Sequence, residues 1–161
     1  MAEKRDRRVI IEGARIIFRN FAGAEKQFNR AGDRNFSVLL DPELAKRLED
    51  DGWNVSYLKV RPDDEDPIPQ AHLKVKLKFT GKPPTIYMIS SRGRTALGED
   101  TVELLDMVDI SNVDLIIDPY DYDVNGKTGI SAYLSSIYVT IIEDELALKY
   151  ADVEDADRKA L

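Results

Sequence analysis

The sequence predicts a mainly β protein, an OB-like Greek-key β-barrel with extra strands and one or two short helices. The stretch AHLKVKLKF (71–79) alternates apolar and polar residues without a break, which is the pattern of a half-buried strand. About seven β-rich runs are separated by Gly, Pro and Asn turn signals, against one well-marked helix. Asn125-Gly126 lies between two long β-rich runs, a strong short-range hairpin signal because both residues tolerate positive φ. A generic sandwich fits the same strand count, and patterning alone does not choose between the two.

In chain order, VIIEGARIIFRNF (9–21) reads as the first strand, with Gly13 marking a bulge. A Gly- and charge-rich loop (22–34) and the apolar run NFSVLL (35–40) follow. Asp41 is a good N-cap, Pro42 suits the first helical position, Leu44, Ala45 and Leu48 form one apolar face, and Gly52 closes the helix. WNVSYLKV (53–60) reads as a strand with Trp53 in the core, and RPDDEDPIPQ (61–70) as an exposed loop stiffened by its prolines. After the lysine strand, GKPP (81–84) turns into the strand TIYMISS (85–91), and residues 99–107 suit a short helix. The hairpin VDLIIDPYDYDV and TGISAYLSSIYVTII completes a barrel over residues 1–150, leaving residues 151–161 as an acidic tail.

At 161 residues the chain is long enough to bury a core of its own. It has no cysteine and one histidine, His72, which excludes disulfides, thiolate chemistry, Cys-ligated zinc and any multi-histidine metal site within one chain. No apolar run approaches the roughly 18 residues of a membrane span, and the expectation is a cytoplasmic protein. The net charge of −7 is unevenly placed. Residues 1–94 carry 19 Lys/Arg against 14 Asp/Glu, and residues 95–161 carry 4 against 16. Such a split fits a nucleic-acid or membrane partner for the basic half, and equally an ordinary acidic surface on the other.

For catalysis there is no Ser-His-Asp spacing, nucleophile elbow or Walker loop to work with. Asp121-x-Asp123-x-Asn125-Gly126 opens like a calcium loop, but its twelfth position is Ala132 where a bidentate Glu is needed. Asn-Gly as a hairpin turn accounts for the same residues. The reading is therefore a non-enzyme without metal or cofactor, with a magnesium nuclease using Asp118, Asp121 and Asp123 as one rival. The other rival is a protein-interaction module acting through the acidic C-terminal half.

Binding of single-stranded DNA needs a cationic track for phosphates and aromatic faces for bases. Residues i and i+2 of a strand lie about 6.6 Å apart, so Lys74, Lys76 and Lys78 can meet successive phosphates. Lys59 and Arg61, Arg92 and Arg94, and Arg30 and Arg34 on the Gly-containing loop would add to them. Tyr57 and Tyr87, then Phe28 and Tyr120, are the candidate stacking residues. The loop around Phe28 is expected to act as a mobile arm, and His72 as a surface member of the cationic row. The competing account of alternating lysines is a solvated face that protects an edge strand.

The stretches FRNFAG (18–23), FNRAGDRNF (28–36), DGWNV (51–55), LKVRP (58–62), PPTIYMISSRGRT (83–95) and VDLIIDPYDYDVNGKTGISAYLSSIYVTI (113–141) resemble a family of small phage and prophage single-stranded DNA-binding proteins. The resemblance implies an OB-fold replication or recombination protein that coats single-stranded DNA, with replication or recombination proteins, or further copies of itself, as partners. It carries the binding role onto the basic and aromatic residues above as a group. Many such binders end in an acidic tail with an apolar tip, whereas this tail, YADVEDADRKAL, finishes in Arg-Lys-Ala-Leu. An acidic tail could still compete with DNA for a basic groove.

Overall fold

The computed structural model describes residues 7–60, 63 and 68–143; Arg61 and the acidic tail lie outside the described residues. The first apolar run does not continue straight. It forms β1 (Val9–Ile11) and β2 (Ile16–Asn20), with Gly13 between them at φ 63°, a left-handed conformation that glycine adopts without a Cβ clash. The Gly13 amide donates to Asp114 Oδ1 at 2.9 Å and the Ala14 amide to the Val113 carbonyl at 2.7 Å, which fixes the bend.

That bend lets one segment serve two neighbours. β1 pairs antiparallel with β8 (Ile110–Val124), and β2 pairs antiparallel with β3 (Arg34–Leu40). Between them the sheet runs β8, β9 (Lys127–Ile141), β5 (Ala71–Leu77), β3, so the full order is β1-β8-β9-β5-β3-β2. The two ends of this path are consecutive pieces of one chain segment, so the backbone itself closes the curled sheet. With β1 and β2 counted together, five staves remain, and β5 lies parallel to β9 through Val75↔Ala132 and Lys76↔Tyr133. This is an OB-like barrel of Greek-key connectivity.

Two insertions decorate it. Between β3 and β5 lie α1 (Pro42–Asp51) and β4 (Val55–Tyr57). Asp41 caps α1 by accepting from the Leu44 amide at 2.8 Å, and left-handed Gly52 ends it. Between β5 and β8 lie the hairpin β6 (Thr85–Ser90) and β7 (Gly93–Leu97), then a 3-10 turn at Val102–Asp106. β6 extends β5's pairing along the same edge of β9, through Thr85↔Ser136 to Ile89↔Thr140. The two strands beyond the seven expected are thus the broken first run and β7. Among the described residues no helix is long and apolar enough to cross a membrane.

Alternation sets the two faces as expected for β5. Ala71, Leu73, Val75 and Leu77 are buried and Lys74 and Lys76 are exposed. The core collects Phe36 and Val38 of β3, Val113, Leu115 and Ile117 of β8, and Ile137 and Val139 of β9. Phe21 stacks on Phe36 with ring centroids 5.1 Å apart, and Trp53 is buried. Burial of each such side chain contributes about 1.5–3 kcal/mol against leaving it in water. The β8–β9 hairpin turns at Asn125 and Gly126, whose φ values of 53° and 81° suit a type I′ turn.

Candidate nucleic-acid interface

The outward residues of β5 face neighbours on both sides. Asn35 of β3, Lys76 and Tyr133 of β9 stand in one row across three strands. Ser37 lies beside Lys74 in the next row, and Leu39 and Ser56 flank His72 in the row after that. The Lys76 ammonium lies 6.0 Å from the Tyr133 ring centroid, and Tyr120 meets Tyr133 edge to face at 5.6 Å. Among the described residues no carboxylate forms an ion pair with Lys74, Lys76 or Lys78. The three lysines, Asn35, Arg34, Phe79 and Tyr133 line an open groove of about 480 Å³, which Asp33 and Glu99 border.

Arg34 is partly committed to the protein. Its guanidinium donates to the Phe21 carbonyl at 2.6 Å and lies 5.5 Å from the Phe79 ring centroid. The loop between β2 and β3, which carries Phe28 and Arg30, is held together by side-chain hydrogen bonds of its own. Asn29 Nδ2 lies 2.9–3.1 Å from the carbonyls of Ala24, Arg30 and Asp33, and Asn29 Oδ1 accepts from Asn35 at 2.8 Å. Gly23 is required at the neck of this arm: a Cβ there would come within 3.1–3.2 Å of the Gly32 backbone, whose amide donates to the Gly23 carbonyl. Phe28 is 90% exposed at the tip.

A second aromatic group lies further along β9. Tyr87 of β6 stacks on Tyr138 at 5.6 Å, and the Arg94 guanidinium lies 4.9 Å from the Tyr87 centroid. Tyr133 and Tyr138 are an odd number of residues apart, so strict alternation would put them on opposite faces. The register between β8 and β9 slips there: Ile116 pairs with Ser136 and Ile117 with Leu134, leaving Ser135 unpaired in a β-bulge. Burial changes phase at the same point, so both tyrosines stay on the outer side. Arg92 sits exposed in the turn between β6 and β7, at the end of this second group.

Tyr57 is on the other face. It pairs with Ala71, whose side chain is in the core, and its hydroxyl donates to Glu49 of α1 at 2.5 Å. That bond to a carboxylate raises the phenol above its ordinary pKa. The structure therefore separates Tyr57 from the lysine row. Lys59 is exposed beyond β4.

His72 is half-buried, not a bare surface residue. Phe18 covers it edge-on at 5.9 Å, its Nδ1 is buried without a hydrogen-bond partner among the described residues, and burial lowers its pKa from the ordinary 6.5. Two aspartates of the β8–β9 hairpin, Asp118 and Asp121, are paired with arginines. Asp118 accepts from Arg8 at 2.6 Å, and Asp121 takes both guanidinium nitrogens of Arg7 at 2.7 and 2.8 Å.

Sequence reasoning passed over Tyr133 and Phe18. Tyr133 alternates with buried Ile130, Ala132 and Leu134, a signal that could have placed it outward. Phe18 carried no such signal, because its outward position depends on a distorted backbone.

The fold agrees with solved structures of a phage protein. A C-terminal truncation of the single-stranded DNA-binding protein of bacteriophage Enc34 superposes with a TM-score of 0.54 at 10% identity, covering 85% of this chain and 87% of that one. The same protein in complex with single-stranded DNA gives 0.50 at 11% identity, with 85% and 88% covered. None of the curated proteins matches the chain in sequence. The family model described as "Putative phage ssDNA-binding domain" matches residues 1–161, the whole chain. The chain belongs to the phage single-stranded DNA-binding domain family.

Proposed function

We propose that the protein coats single-stranded DNA during phage replication or recombination, holding it along the outer face of β3, β5 and β9 with little regard to sequence. The observation that carries this reading is the groove lined by Lys74, Lys76, Lys78 and Tyr133, where the lysines have no carboxylate partner among the described residues and Tyr120 packs edge-on against Tyr133. The lysine spacing matches consecutive phosphates, and a π-face accepts any base, so affinity comes without base reading. The loop carrying Phe28 and Arg30 rises on one side of the groove and the tyrosines of the β8–β9 hairpin on the other. Strands two and three of an OB barrel, with these two loops, are a recurrent oligonucleotide platform. Likeness to the Enc34 protein solved with single-stranded DNA supports the same reading.

The Tyr87–Tyr138 pair with Arg94 and Arg92 would continue the track, because the Ser135 bulge keeps its rings on the outer side. Arg34 would act mainly by bracing the loop, and Tyr57 would contribute to α1 packing. The protein works by binding and not by covalent chemistry. The test is fluorescence anisotropy of labelled oligo-dT at two salt concentrations with and without duplex competitor. Tight binding that weakens steeply with salt and survives duplex is the expected result; no binding at low salt would remove the proposal.

A further inference from the structure

Phe18 lies in a conformation that a phenylalanine rarely takes. Its φ is 52°, in the left-handed region where a Cβ crowds the following carbonyl oxygen. The cause is a bulge in β2: Ile17 pairs with Ser37 and Asn20 with Asn35, so β2 spends one residue more than β3. Glycine is the usual occupant of the left-handed position in such a bulge. By alternation Phe18 would follow Ile16 toward the core; the bulge turns it out instead, leaving it 63% exposed. A large apolar side chain thus sits strained and in water, where burial would otherwise have rewarded it. Strain of this kind persists where the surrounding structure holds it, and it clusters at functional sites.

The surroundings say what the ring could do. Phe18 and Phe28 share a hollow of about 280 Å³ that also takes in Lys26, Asn35 and Lys74. Lys74 belongs to the phosphate track, so a backbone lying there brings its bases within reach of both rings. His72 supports Phe18 from the strand side.

We propose that Phe18 and Phe28 form a base slot, in which one unpaired nucleobase lodges while Lys74 holds its phosphate. This rests on the single-stranded DNA reading and deepens it. A duplex keeps its bases stacked inside, so the slot would favour single strands over duplex, which the lysines by themselves do not.

The test uses the full chain, oligo-dT and an abasic oligodeoxynucleotide of equal length. Phe18→Asn keeps a residue that tolerates the left-handed backbone but removes the ring. Its affinity for oligo-dT should fall about tenfold while affinity for the abasic strand stays unchanged, and its melting temperature should hold or rise. Phe28→Ala should show the same split between the two probes. Phe18→Trp should restore oligo-dT affinity, with indole emission quenched on binding beyond any change in the wild type, whose one tryptophan is buried. Undiminished oligo-dT binding by Phe18→Asn would overturn the slot. So would equal loss on both strands with a lowered melting temperature, which makes Phe18 a packing residue, or an indole at position 18 that saturating oligo-dT leaves unmoved. Wild-type protein that binds neither strand would instead overturn the single-stranded DNA reading itself.

Discussion

Lys76 of β5 and Tyr133 of β9 are parallel-strand neighbours whose ammonium and ring lie 6.0 Å apart on the outer face of the barrel. The pair puts a positive charge beside an aromatic face, which under the proposed function would meet the phosphates and bases of an unpaired strand in turn. It also joins the two halves of the chain: the basic row comes from the first and the tyrosines from the acidic second.

Each lysine of the row should account for roughly one phosphate. Replacing Lys76 with Ala should weaken oligo-dT binding and lower the slope of log K against log salt by about 0.7. Lys74→Ala should do the same, and Lys76→Glu should weaken binding further by placing a like charge on the track. Anisotropy titrations from low to moderate salt read both quantities. A slope left unchanged by Lys76→Ala would mean that no counterion is released there.

The row itself was legible in the sequence because nothing distorts β5. Its alternation survives intact, as does the Asn125-Gly126 turn, whose residues need positive φ for a local reason. The helix was readable from Asp41, Pro42 and Gly52 for a similar reason, since caps act within one turn. What sequence did not reveal lies at the breaks in alternation. The bend at Gly13, which closes the barrel, takes its meaning from two different partner strands. The bulge at Ser135 decides the side on which Tyr138 stands, and the bulge at Phe18 reverses a side chain that alternation assigns to the core. Tyr57 shows the same limit from the other side: its strand was anticipated, but its face depends on the register with Ala71.

Tyr133 and Tyr57 should therefore behave oppositely. Tyr133→Ala should reduce oligo-dT affinity by roughly 5- to 150-fold, the range of one lost base–aromatic stack. Tyr57→Phe should leave affinity as it was and lower the melting temperature slightly, because it removes only the hydroxyl that donates to Glu49. Equal affinity losses in the two variants would place Tyr57 on the DNA path.

The hairpin arm that carries Tyr120 depends on Gly129. A Cβ there would collide with the ring and hydroxyl of Tyr122, its cross-strand partner. Tyr122 in turn donates to Asn54 Oδ1 at 3.0 Å, tying the arm to the segment after α1. Gly129→Ala should displace Tyr122, lower the melting temperature and speed amide exchange across residues 120–131. Tyr122→Phe should keep the ring over the glycine and lose only the tether, so its effect should be the smaller of the two. A Gly129→Ala variant as stable as the wild type would show that Tyr122 moves aside without cost.

Stability should depend on pH through His72. Burial lowers its folded-state pKa below the ordinary 6.5, so between the two values the unfolded chain binds more protons than the folded one. Stability is then full above about pH 6.5 and declines as pH falls toward the folded value. The Asp121 carboxylate, held below its ordinary 3.8 by Arg7, titrates well under this window and does not confuse it. Melting temperature should fall between pH 7.5 and 5.5, and His72→Gln should flatten that dependence. Phe18→Asn should flatten it in part as well, because the ring that shields the imidazole from water is gone. A wild-type melting temperature constant across this range would mean that His72 is protonated in place without cost, through water that enters beneath Phe18.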